Sequence, residues 1–113
     1  MDRELLELAA KAAGIEIHSY DPISDRIYTP RSLPMLEGSY LHTWNPLTDD
    51  GDALRLAVQL QIIVGRYDNY VNAAPLHDGA KEIVIWSHNE KDPYAATRRA
   101  ITRAAAEIGR SMK

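Results

Sequence analysis

Three carboxylates, Asp49, Asp50 and Asp52, stand together a few positions beyond His42. Oxygen donors at that density, with an imidazole near, are what a hard cation requires. The string Asp-Asp-Gly-Asp nevertheless lacks the alternating ligands of a calcium loop. It also falls where a helix starts, and the positive end of a helix dipole attracts acids without any metal. Capping is the preferred reading. His18, His42, His77 and His88 are scattered, with no pair four residues apart on a helix as in zinc sites. Each reads as a loop or strand-end residue, with no partner that would make it a general base. No serine occupies a Gly-x-Ser-x-Gly elbow, and no glycine run could cradle a phosphate. The chain has no cysteine, which excludes a thiol nucleophile, a disulfide framework and Cys-based zinc sites. No catalytic, metal or cofactor-binding residue is assigned, and no cofactor is expected. An enzyme is the least supported class, and its form would be a site without recognisable motif hidden in residues 15–43.

Two other groupings suit binding. Tyr67 and Tyr70 flank Asp68-Asn69, a turn signal. Aromatics in a turn have little core to fill, and aromatics dominate interface energetics where a partner covers them. Tyr67, Asp68, Asn69 and Tyr70 are therefore the candidate partner-binding residues. Arg99, Arg103 and Arg110 fall within a narrow arc of the last helix, the stripe that electrostatic capture of nucleic acid needs. The alternative is a solvated face near a helix C-terminus, where cations suit the dipole. Glu107 within the stripe and the overall acidity weigh against nucleic acid. Trp44 is expected to staple the entry to the second helix, and Trp86 to end a core strand.

These residues must be carried by a chain of 113 residues, sized for one domain over 1–113. Its 45% hydrophobic and 26% charged residues are ordinary for a globular protein that buries a core without staples. The net charge of -3 is uneven. Residues 92–113 hold Arg98, Arg99, Arg103, Arg110 and Lys113 against Asp92 and Glu107, or +3, which leaves -6 elsewhere. Met1-Asp2-Arg3-Glu4 does not open a signal peptide, and no apolar run approaches the ~20 residues of a membrane span. A cytoplasmic location with no membrane contact is the expectation.

Helical spacing of Leu5, Leu8, Ala9 and Ala12 predicts a first helix over 2–13, stopped by Gly14. Residues 15–43, broken by Pro22, Pro30, Pro34 and Gly38, read as a long loop with at most one short strand. Leu33, Met35, Leu36, Tyr40 and Leu41 would be its apolar pegs over the core. A second helix begins near Asp49 or Asp50, capped by Thr48 or Asp49, and runs to about Gln61. Ala53, Leu56, Ala57 and Leu60 form its buried face. Ile62-Ile63-Val64 and Ile83-Val84-Ile85-Trp86 read as strands whose unbroken apolar character implies cover on both faces. The connection between them forms a hairpin or adds a strand near Tyr70–Ala73. The last helix opens with Asp92 as cap and Pro93 at its first position. Tyr94, Thr97, Ile101, Ala104, Ala105 and Ile108 make its inner face. The fold class is α+β, a three-layer α/β/α sandwich with three helices around a small, mostly antiparallel sheet.

The chain resembles the phage ABA-sandwich domain, a family of small phage and prophage proteins. The resemblance is carried by Glu4-Leu5-Leu6-Glu7-Leu8-Ala9-Ala10-Lys11-Ala12-Ala13-Gly14, by the block Trp44-Asn45-Pro46-Leu47-Thr48-Asp49-Asp50-Gly51-Asp52-Ala53-Leu54-Arg55-Leu56-Ala57-Val58, and by Asp92-Pro93 with the alanine-rich segment through Gly109. It covers roughly half the chain. It implies an α/β/α sandwich and brings no activity or catalytic residue with it. Stretches 15–43 and 65–81 look particular to this protein. The expected role is a phage accessory protein without enzymatic activity, contacting a host or phage protein or a second copy of itself. A nucleic-acid-binding regulator using the last helix is the alternative.

Overall fold

The computed structural model describes residues 2–17, 19–23, 26–32, 39–76, 82–86 and 92–112. Helix α1 spans Asp2–Ala13, with Asp2 and Glu4 in the turn that faces the dipole's positive end. Its buried face is Leu6, Ala9, Ala10 and Ala13, one position on from the face the spacing suggests. Gly14 takes φ 70°, and Ile15 N–H returns to the Ala10 carbonyl at 2.9 Å, closing the helix.

The segment expected to be a loop is instead a sheet. Strands β1 (Ser19–Asp21), β2 (Arg26–Ser32) and β3 (Ser39–Trp44) pair antiparallel in the order β1-β2-β3. Pro30, taken above as a breaker, sits inside β2. Among the described residues, pairing with β1 ends at Tyr28, opposite Ser19, so from Thr29 onward they bond β2 on one side only. A strand with one free edge tolerates the missing proline N–H. Ile27, Thr29 and Trp44 are buried from this sheet, and the Arg3 guanidinium of α1 lies 4.9 Å from the Tyr20 ring centre. Trp44 thus anchors the entry to the second helix, as expected.

Helix α2 (Asp50–Leu60) is capped by Asp49, whose carboxylate accepts from Asp52 N–H at 2.7 Å. It ends on Gln61, held left-handed at φ 55°. Strands β4 (Ile62–Arg66), β5 (Tyr70–Pro75) and β6 (Ile83–Trp86) form a second antiparallel sheet in the order β4-β5-β6. The hairpin and the added strand foreseen near Tyr70 are both present. Helix α3 (Pro93–Ser111) starts where Asp92 accepts from Tyr94 N–H at 2.9 Å and Ala95 N–H at 3.3 Å. It buries Ala96, Ala100, Ile101, Thr102, Ala104, Ala105, Ala106 and Gly109, whereas Tyr94 points to solvent.

The fold is α+β: the described residues form three helices packed with two small antiparallel sheets around one core. In the second sheet, cover alternates along the strands rather than enclosing both faces. Ile62, Val71, Ala73, Ile83 and Ile85 are buried, while Ile63 is 56% and Val84 36% exposed. His18, His77, His88, the Asp78-Gly79 turn and the pegs Leu33, Met35 and Leu36 lie outside the described residues. So do the side chains of Tyr40, Leu41, His42 and Trp86.

Candidate functional site

Tyr67-Asp68-Asn69-Tyr70 forms the corner between β4 and β5, where Tyr67 N–H donates to the Tyr70 carbonyl at 2.9 Å. Asp68 and Asn69 are the exposed turn pair. The two phenol rings stack with centroids 4.4 Å apart and planes 12° from parallel. Tyr67 remains 48% exposed. The sequence-predicted group is therefore one unit, with a stacked aromatic wall on one side and two polar turn residues at the tip.

The wall continues along the sheet. Register pairs Ile63 with Ala74, Gly65 with Asn72, and Asn72 with Val84. These residues occupy the face opposite the buried Ile62, Val71, Ala73, Ile83 and Ile85. A Cβ on Gly65 would collide with the Asn72 carboxamide and stand 3.0 Å from Cε2 of Tyr67. The tyrosine thus leans back over the glycine, which supplies the gap it fills. Ile63, Gly65, Tyr67, Tyr70, Asn72, Ala74 and Val84 carry no charge. A sheet face that meets only water usually alternates to polar residues, so this surface departs from that pattern. Ile63 and Val84 were missed because their unbroken apolar runs read as doubly covered strands. The signal that could have found them is their place at alternate positions to buried neighbours, visible only once register is known.

The basic stripe has different surroundings. Arg99 lies 3.7 Å from Asp2 of α1, and Arg110 lies 4.0 Å from Glu4 and 3.7 Å from Glu107. Arg103 lines the same shallow depression without an ion pair among the described residues. Three arginines and three carboxylates thus share the depression, and among the described residues the local charge cancels. The sequence shows the arginines on one arc; it does not show that α1 brings Asp2 and Glu4 beside them.

The aspartates at the start of α2 are built into local structure. Asp49 is the cap, Asp50 meets Arg98 at 2.6 Å, and Asp52 accepts from the buried Asn45 N–H at 3.0 Å and from Arg55 at 2.8 Å. A polar cleft of about 750 Å³ lies beside them, reached by Asn45, Thr48, Asp52, Arg55 and Gln59. Among the described residues, no three His, Asp or Glu side chains are grouped to hold a metal, and no helix is long and apolar enough to cross a membrane. The chain matches no protein-family model, and comparison with curated proteins and with solved structures returns no match.

Proposed function

We propose that this protein is a phage or prophage accessory protein that works by binding another protein, through the outer face of the β4-β5-β6 sheet and its Tyr67–Tyr70 corner. The observation that carries this reading is a sheet face with exposed Ile63 and Val84 and no charged residue among Ile63, Gly65, Tyr70, Asn72, Ala74 and Val84, ending in two stacked tyrosines. Rigid aromatics present a large contact area at low entropic cost, and a face without charge loses little hydration when covered. The phage setting rests on the resemblance of the Trp44–Val58 block and its flanking helices, and a cytoplasmic location in a bacterial host follows from that setting. The pairing of Arg99 and Arg110 with carboxylates favours a protein partner over nucleic acid, because counterion release needs uncompensated cations. The partner is a host or phage protein or a second copy of the chain.

A tagged pull-down from infected or lysogenic cells, with and without nuclease, tests this reading. The expected result is a stoichiometric protein that survives nuclease and is lost with Tyr67→Ser/Tyr70→Ser, while circular dichroism stays unchanged. Capture that persists in this double variant, or that disappears with nuclease or with Arg99→Glu/Arg103→Glu, overturns it.

A further inference from the structure

The opening turns of α2 and α3 meet the end of β4 and enclose a groove of about 470 Å³. Its walls are apolar: Ala53, Leu54, Pro93, Tyr94 and Ile101. Leu54 and Tyr94 are 64% and 68% exposed, an open state for large side chains that no described neighbour covers. Among the described residues, three charged side chains also reach the groove, namely Asp50, Arg66 and Arg98. Arg98 is already engaged by the Leu47 carbonyl at 2.9 Å and by Asp50 at 2.6 Å, with Asp92 at 3.9 Å. The Arg66 guanidinium makes no hydrogen bond or ion pair among the described residues, and the Tyr94 hydroxyl has no partner there either. The described lining therefore holds a net charge of +1, counting Asp50 against Arg66 and Arg98, with one cation unengaged among the described residues and beside apolar walls.

We propose that this groove binds a medium-chain fatty carboxylate. The chain lies along Ala53, Leu54 and Ile101, and the carboxylate accepts hydrogen bonds from the Arg66 guanidinium and the Tyr94 hydroxyl. The charge of the lining selects an anion, and the planar guanidinium fork suits a carboxylate in particular. The apolar walls select a ligand whose remainder is hydrocarbon. The volume falls in the lower range of small-molecule sites, which suits one chain rather than a bulky lipid. This site is separate from the Tyr67–Tyr70 surface and stands or falls independently of it.

Decanoate, titrated below its micelle concentration into isotope-labelled protein and followed by amide NMR, is the test, with decanol and butyrate as controls. Saturable shifts at Ala53, Thr97 and Ile101 are expected with decanoate, with affinity about tenfold or more weaker for decanol and for Arg66→Gln. Butyrate lacks the chain and is expected to bind more weakly still. Leu54→Ser, at an exposed position, should weaken decanoate while leaving the fold intact. The proposal is overturned by absence of saturable shifts, by equal binding of decanol, or by an Arg66→Gln protein that binds as before. Tighter binding of a short leucine-glutamate peptide than of decanoate would make the occupant a polypeptide and equally overturn it.

Discussion

Arg98 of α3 holds Asp50 at the start of α2, its Nη1 2.6 Å from Oδ1, while its Nε donates to the Leu47 carbonyl at 2.9 Å. The arginine side chain is 16% exposed and the aspartate 71%. That asymmetry decides which partner matters. Arg98→Met leaves the carbonyl unpaired and should cost about 1.5–3 kcal/mol of stability. Asp50→Asn removes only an exposed charge and should cost under about 1 kcal/mol. Urea unfolding of both variants checks the ranking, and an Asp50 effect as large as that of Arg98 would contradict it.

Gly109 is a point of close approach between α1 and α3. A Cβ there would overlap the Leu8 carbonyl oxygen and stand 2.9 Å from its carbon. Gly109→Ala gains about 1 kcal/mol in helix propensity. It must nonetheless push backbone against backbone, and overpacking costs about 1–3 kcal/mol. The expected outcome is a lower midpoint in thermal unfolding, although Ala is the better helix former.

Asp52 shows why a first-turn acid is not always a dipole decoration. It is 8% exposed and accepts from the buried Asn45 N–H. Asp52→Ala strands that donor and should cost about 1–3 kcal/mol. Asp49→Ala, which removes the cap and an exposed 3.9 Å ion pair with Arg55, should cost about 1 kcal/mol. Chemical denaturation of the two variants side by side tests the order.

Much of the architecture was legible because local signals agreed with the final packing. Asp49 and Asp92 mark helix starts, Gly14 marks a stop, and Asp68-Asn69 marks the hairpin. The sheet over residues 19–44 was not legible. Its prolines read as breaks, and the edge, free among the described residues, that lets Pro30 stay in β2 exists only after β1 has paired and ended. The same holds for the proposed interaction face. Tyr67 and Tyr70 are visible as a pair around a turn, but their stacking, and the exposure of Ile63 and Val84 behind them, depend on register.

Gln61 closes α2 in the left-handed region at φ 55°, ψ 50°, where a side chain pays a steric penalty. Its N–H returns to Ala57 and Val58, and its carbonyl accepts from Leu76 N–H at 2.9 Å, so the backbone has reason to stay there. Gln61→Gly keeps these bonds and removes the penalty. A gain of about 0.5–1 kcal/mol is expected, after allowing for the greater freedom of glycine in the unfolded chain. Differential scanning calorimetry reads the gain directly as a raised Tm.

The contact between α1 and α3 also sets a timetable. Lys11 Nζ donates to the Met112 carbonyl at 3.0 Å, a bond spanning 101 positions of sequence, and Gly109 rests on Leu8. Leu6, Ala9 and Ala10 of α1 therefore lack the α3 surface they pack against until α3 has been synthesised. Closing so long a loop comes late and slowly in folding. During synthesis part of that apolar face stays uncovered until α3 has emerged.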